Sequence, residues 1–343
     1  MADALVSPAV GGAMWAVTGG LIACSARKLN AELDDRRVPL MGVLGAFIFA
    51  AQMVNFAIPM TGSSGHIGGG MILSILLGPW AAFVTIASVV TVQALFFADG
   101  GLLALGCNIF NMGFFPCFVA YPLIYRKIAG DRPTPTRILA GSVASVVVGL
   151  QLGAFGVVLE TAGSGVSELP FTAFVLLMQP IHLAIGLAEG LITSAVVNSV
   201  RKARPEVLEA ALAAGPAGAS FSIRRLVVGL GAATILTAGV LSWFASAAPD
   251  GLEWSMARTA GAEELATPHN AIHAAAGHVQ ALTAFLPDYD FRNPQTKADG
   301  PAPAVNAATS AAGLIGAAMT LGLVAALGLA LKTRRAGSDV AGP

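Results

Sequence analysis

The sequence predicts an all-α polytopic membrane protein: a seven-span bundle, then a two-span C-terminal unit, with the N-terminus out and the C-terminus in. Three observations predict it. Charged residues are 11% of the 343, where soluble domains carry about 25%. Apolar residues reach 55%, with a mean hydropathy of +0.74. The basic residues fall in a few clusters instead of being spread along the chain. Nineteen basic and 19 acidic side chains cancel to zero net charge. Such a composition excludes a soluble globular domain, a disordered chain and a nucleic-acid binder.

A bilayer-crossing helix needs roughly 20 mostly apolar residues. Seven stretches qualify directly: 8–26, 39–58, 101–124, 137–159, 171–198, 225–245 and 305–331. Between them, 67–98 is interrupted by Gly78-Pro79, and proline breaks a helix interior by removing a donor and clashing with the preceding turn. Lys and Arg favour the cytoplasmic side. They cluster at 27–37, 126–137, 201–225 and 332–335. With all four clusters inside, an odd number of crossings must separate 59–66 from 125–137. Segments 67–77 and 80–97 are therefore each expected to cross, which makes nine spans. Segment 67–77 has 11 residues, about 16 Å of helix, so it must extend into the flanking glycines or sit inside the bundle.

The expected organisation is a unit at 1–200, a cytoplasmic linker at 201–223 and a unit at 224–343. The linker has a helical pattern through Glu206–Ala213 and a flexible Gly215-Pro216-Ala217-Gly218. The last unit surrounds an outer loop, 246–304, that holds three of the five histidines. The expected location is the cell (inner or plasma) membrane. No basic region precedes the first apolar run, so no signal peptide is expected and the N-terminus is expected to be retained. Cys24, Cys107 and Cys117 lie in apolar runs and are expected to be small buried residues.

Several chemistries are missing. A phosphate-cradling loop needs GxxxxGK[ST], but Leu331 precedes Lys332, the one lysine followed by Ser or Thr. ATP hydrolysis by that route is excluded. Neither GxSxG nor HExxH occurs.

The candidate sites are polar residues in apolar surroundings. His66 stands in Gly62-Ser63-Ser64-Gly65-His66-Ile67-Gly68-Gly69-Gly70, where glycine lets a metal or another segment approach. Its neutral imidazole suits Co, Ni, Cu and Zn, and a capping or packing histidine is the other reading. His182 and Glu189 are seven residues apart on one helix face. An ionisable group in a span is a functional candidate, with a helix–helix hydrogen bond as the alternative. Asp99, at the tip Ala98-Asp99-Gly100-Gly101, is either a turn residue or a carboxylate supporting an outer metal site. Asn108 and Asn111 are polar packing or site lining. His269 and His273, in the outer loop with His278, have the i,i+4 spacing that chelates on a helix, and Ala271–Ala276 favours one; a solvated loop helix is the other reading.

Six runs then occur in order: Met1-Ala2-Asp3-Ala4-Leu5, Ser7-Pro8-Ala9-Val10-Gly11-Gly12, Gly62–Gly70, Leu77-Gly78-Pro79-Trp80, Phe97-Ala98-Asp99-Gly100-Gly101 and Gln179-Pro180-Ile181-His182 through Glu189-Gly190-Leu191. Together they resemble the cobalt/nickel substrate-binding component of energy-coupling factor ABC transporters, the CbiM/NikM type, over residues 1–200. Pro249-Asp250-Gly251-Leu252-Glu253 resembles the signature of the small CbiN/NikN-type accessory subunit, here fused. The resemblance implies capture of Co²⁺ or Ni²⁺ outside as transported substrate. It also implies a transmembrane coupling subunit and two cytoplasmic ATPases as partners, and no enzymatic activity of the chain itself. In the family the N-terminal strand folds back into the bundle. The metal is held by the initiator amine, the amide and imidazole of a second-position His, and the Gly-rich His. His66 matches the last of these. Met1-Ala2-Asp3 matches the family's third residue onward, so a start two codons upstream is expected. Asp3 and Asp99 are the carboxylates expected to support the site. Two other functions are weighed: a stand-alone ion-coupled transporter using Glu189, and a membrane sensor or enzyme using the outer-loop histidines.

Overall fold

The computed structural model describes residues 1–32, 37–213, 223–291 and 306–340. It is built almost entirely of helices: α1 (Pro8–Glu32), α2 (Arg37–Gln52), α3 (Gly70–Leu77), α4 (Pro79–Phe97), α5 (Leu105–Ile109), α6 (Arg126–Ala129), α7 (Pro135–Ser164), α8 (Phe171–Ala203), α9 (Pro205–Ala213), α10 (Ile223–Gly239), α11 (Gly251–Ala260), α12 (Ala271–Thr283) and α13 (Ala307–Val340). A π-helical stretch, Phe110–Tyr125, joins α5 to α6. It contains Pro116 and Pro122, whose missing donors a wider helix tolerates inside a bundle. Among the described residues, six helices are long and apolar enough to cross a bilayer: Pro8–Asn30, Pro79–Phe97, Leu105–Ala129, Pro135–Ser164, Phe171–Ala203 and Ala307–Lys332. The chain is thus a multi-pass membrane protein.

One expectation about an element needs correction, and two others take definite form. The second span does not run to residue 58, because α2 ends at Gln52. Phe56–Ile58 (β1) instead pairs antiparallel with Ser63–Gly65 (β2). Pro59 disfavours helix at the residue before it, and Met60 and Gly62 turn the chain at positive φ. The segment 67–77 is helical only over α3, whose eight residues are all buried. Gly69 and Gly78, both at positive φ, bound it, and Pro79 starts α4 at a position where its missing donor costs nothing. At about 12 Å, α3 is far shorter than a bilayer. Within the outer segment 246–304 the expected loop helix is α12, and α11 and a short turn at Pro287–Tyr289 accompany it.

The helix expected at Glu206–Ala213 is α9, while Gly215–Gly218 and residues 292–304 of the outer segment lie outside the described residues. The core is centred on α2, α3 and α4, through Leu44, Ile48, Phe49, Ile72, Phe83 and Val89. Helices α7 and α8 pack along each other on one flank, and α10 and α13 pack on α2 on the other. Cys107 and Cys117 are buried, but Cys24 is exposed, because α1 leaves most of its apolar surface outside the bundle.

Candidate metal site

One cavity of about 170 Å³ gathers most of the polar candidates: His66, His182, Glu189, Asn108 and Asn111 all line it. They arrive on four supports. His66 follows β2, whose pairing with β1 fixes the chain up to Gly65. Asn108 comes from α5 and Asn111 from the π-helical stretch. His182 and Glu189 come from one face of α8, as their spacing requires.

His66 is half-buried, and its Nδ1 lies 3.1 Å from the Ile67 carbonyl. His182 Nδ1 lies 2.7 Å from the Met178 carbonyl. A carbonyl only accepts, so in both rings Nδ1 carries a proton, and Nε2 is the nitrogen left to face a ligand. Glu189 is buried and accepts from the Gly69 amide at 2.9 Å. Asn108 Nδ2 donates to the Met1 carbonyl at 3.1 Å, and the Gly101 amide donates to the same oxygen at 3.1 Å. The N-terminal segment, a single helical turn at Asp3–Leu5, therefore folds back into the bundle, and Met1 lines the cavity.

The two carboxylates expected to support the site lie elsewhere. Asp3 Oδ1 accepts from the Ala104 amide at 2.9 Å and holds the turn before α5. Asp99 accepts from the Tyr289 hydroxyl at 2.5 Å. Neither lines the cavity. Packing against Phe49 and Phe97 and the charge of Asp99 raise the Tyr289 phenol well above its usual value, burial being the larger cause.

The expected His269/His273 chelating pair also does not form. Asn270 caps α12 through the amides of Ile272 and His273, so His269 stands before the helix. His269 and His278 are exposed. His273 is buried, and its Nε2 donates to the carbonyls of Asp3 (3.1 Å) and Val6 (3.0 Å). Among the described residues no group of three or more His, Cys, Asp or Glu side chains is placed to hold a metal.

Sequence reasoning missed two residues here. Glu160 on α7 accepts from Asn111 Nδ2 at 2.7 Å. Asp250 lines the cavity beside Gly251 and Leu252. Its carboxylate caps α11 through the amides of Leu252 and Glu253, both at 2.8 Å, while Glu253 accepts from the Asp250 amide at 3.0 Å. Burial, then the Asp250 charge, raises the Glu253 carboxyl above its usual range. The PDGLE run carries a capping signal, D-x-x-E, which predicts the cap but not its place in the cavity wall.

Residues 1–207 match the family model described as the cobalt uptake substrate-specific transmembrane region, CbiM. The chain belongs to the CbiM family. Residues 224–333 match the PDGLE domain, so this CbiM-family chain carries both units in one polypeptide. It is 34% identical over 250 residues to the fused nickel transport protein NikMN of Rhodobacter capsulatus, covering 68% of this chain and 70% of that protein. It is 35% identical over 206 residues to a putative metal transport protein of Haloquadratum walsbyi, covering 60% of this chain and 91% of that protein. A solved structure, "Crystal Structure of an transition metal transporter", is similar with a TM-score of 0.53 at 30% identity. That likeness covers 61% of this chain and 96% of the other.

Proposed function

We propose that this chain is the substrate-specific membrane component of an ATP-driven energy-coupling factor importer for Co²⁺ or Ni²⁺. It captures the ion on the extracytoplasmic side, and His66 is a direct ligand. A transmembrane coupling subunit and two cytoplasmic ATPases complete the machine. The observation that carries this reading is the convergence of His66, the Met1 backbone and Asn108 on one cavity. In the family the remaining donors are the initiator amine and the amide and imidazole of a second-position His, which this reading places ahead of Met1. Imidazole and backbone nitrogen are donors that Ni²⁺ and Co²⁺ both accept. We also propose nine crossings with the N-terminus out, the short third crossing made by α3 and its flanking glycines inside the bundle, and units at 1–200 and 224–343 joined by a cytoplasmic linker at 201–223. The basic clusters support that orientation.

A stand-alone transporter coupled through Glu189 is the second reading, favoured by the burial of that carboxylate in the cavity wall. Uptake of radiolabelled Co²⁺ or Ni²⁺ separates the two. The importer reading expects accumulation in cells that also make the coupling subunit and ATPases, and little from the chain alone. Full uptake by the chain alone, lost in Glu189→Gln, would establish the second reading instead. A sensor built on the outer-loop histidines is disfavoured, since His273 is engaged by backbone carbonyls and His269 stands outside the helix.

A further inference from the structure

The peptide unit between Gly68 and Gly69 is gripped at both ends by buried side chains. Gln52 Nε2, at the last residue of α2, donates to the Gly68 carbonyl at 2.9 Å. Glu189 Oε1, from α8, accepts from the Gly69 amide at 2.9 Å. A third side chain fixes the first, because Gln93 Nε2 of α4 donates to Gln52 Oε1 at 2.9 Å. All three are at most 6% exposed. Glu189 is the one fully buried acidic side chain among the described residues.

We propose that Gln52 and Glu189 are positioning residues for metal capture: they lock the Gly68–Gly69 peptide and thereby set the orientation of the His66 imidazole. The proposal rests on the reading of His66 as a metal ligand. A peptide held at its carbonyl and its amide cannot flip without breaking both bonds. The lock passes to His66 through one residue, since His66 Nδ1 donates to the carbonyl of Ile67, which adjoins Gly68. Gly69 sits at φ +77, a backbone conformation that costs most residues energy but not glycine. The grip therefore selects an unusual chain path.

Stability alone does not call for this arrangement. Burying an amide or carboxylate costs free energy unless it is fully bonded, and apolar side chains of similar volume often serve a core as well. Ile48 and Ile67 pack beside the segment. Polar side chains from two helices meet on one peptide and a third, Gln93, braces one of them, which is what holding that peptide requires. In metal sites, removing the groups that orient a ligand typically costs about 10–100-fold in affinity.

The test uses the full chain extended by Met-His ahead of Met1, in detergent, with Co²⁺ as the probe. Binding is followed by titration and by the visible ligand-field bands, which report coordination geometry. Glu189→Ala and Gln52→Met, the latter removing both bonds but keeping the shape, should each weaken binding about 10–100-fold and change the band pattern. Glu189→Gln keeps an oxygen acceptor and should restore affinity and bands. Hydrogen exchange of the Gly69 amide in metal-free protein reads the grip independently. Protection should fall in Glu189→Ala and Gln52→Met and persist in Glu189→Gln. Unchanged exchange and unchanged bands in the Ala and Met variants would overturn the proposal. So would a Glu189→Gln variant as weak as Glu189→Ala, because the charge rather than the hydrogen bond would then be acting. Absence of Co²⁺ bands in the unsubstituted chain would refute the transport reading, while the exchange measurement would still decide the grip.

Discussion

The Ser64 amide donates to the Pro249 carbonyl at 2.7 Å, tying the strand before His66 to the segment that enters α11. The Ser64 hydroxyl donates to the Ala248 carbonyl at 2.7 Å, and Trp254 Nε1 donates to the Thr61 carbonyl at 3.0 Å. The C-terminal unit thus docks on the hairpin that positions the candidate ligand. Its motif residues have separable tasks, and each makes a prediction.

Gly251 is required by a close approach. A Cβ there would lie 2.9 Å from His182 Cε1 and 3.0 Å from Ile185 Cδ1. Overfilling a packed site typically costs about 1–3 kcal/mol. Gly251→Val should loosen α11 from α8 and lower the thermal midpoint of the full chain. An unchanged midpoint, with unchanged proteolysis across 246–262, would show that α11 does not rest on His182.

His273 fastens the N-terminal segment. Its Nε2 is shared between the Asp3 and Val6 carbonyls, and Val6 is fully buried. His273→Ala leaves those oxygens without this donor, at a cost of about 1–3 kcal/mol. Backbone exchange over residues 3–6 should accelerate in that variant while α8 stays protected. Equal exchange in both proteins would remove His273 from this role.

Tyr289 and Asp99 link the end of the outer segment to the tip of α4. The phenol is raised well above its usual value, so its proton stays on and keeps donating to Asp99. For an acid whose folded value is raised, the stabilisation is whole below the unfolded value, about 10 for tyrosine, and fades as pH rises through the folded value. Thermal melts should therefore show alkaline destabilisation above about pH 10 that Tyr289→Phe removes. Identical alkaline profiles for the two proteins would contradict the assignment.

The Asp250 carboxylate caps two amides of α11, and losing such a cap costs about 0.5–2 kcal/mol. Asp250→Asn preserves an acceptor oxygen and should keep α11 docked, whereas Asp250→Ala should not. Proteolysis within 251–260 is the readout. Equal resistance in the two variants would mean that the cap does not hold the helix.

Local signals were the readable part of this chain. Gly78-Pro79 marks the α3–α4 break because both residues act on their own backbone. The seven-residue spacing places His182 and Glu189 on one face, and both reach the cavity. The hairpin at 56–65 was hidden, since Phe56-Ala57-Ile58 continues an apolar run and its strand character comes from pairing. Asp99 and Asn111 take partners far along the chain, Tyr289 and Glu160, which no spacing rule reaches. The same holds for the peptide grip, whose members Gln52, Gln93 and Glu189 sit on α2, α4 and α8. A lone polar residue in an apolar run shows that something must satisfy it, but not what.

The central claim is that His66 holds the transported ion. Calorimetric titration of Co²⁺ and Ni²⁺ into the full chain, extended by Met-His ahead of Met1, tests it before and after His66→Ala. The account predicts that the substitution removes most of the affinity for both ions while the thermal midpoint of the metal-free protein is kept. Undiminished affinity in the His66→Ala protein would contradict it.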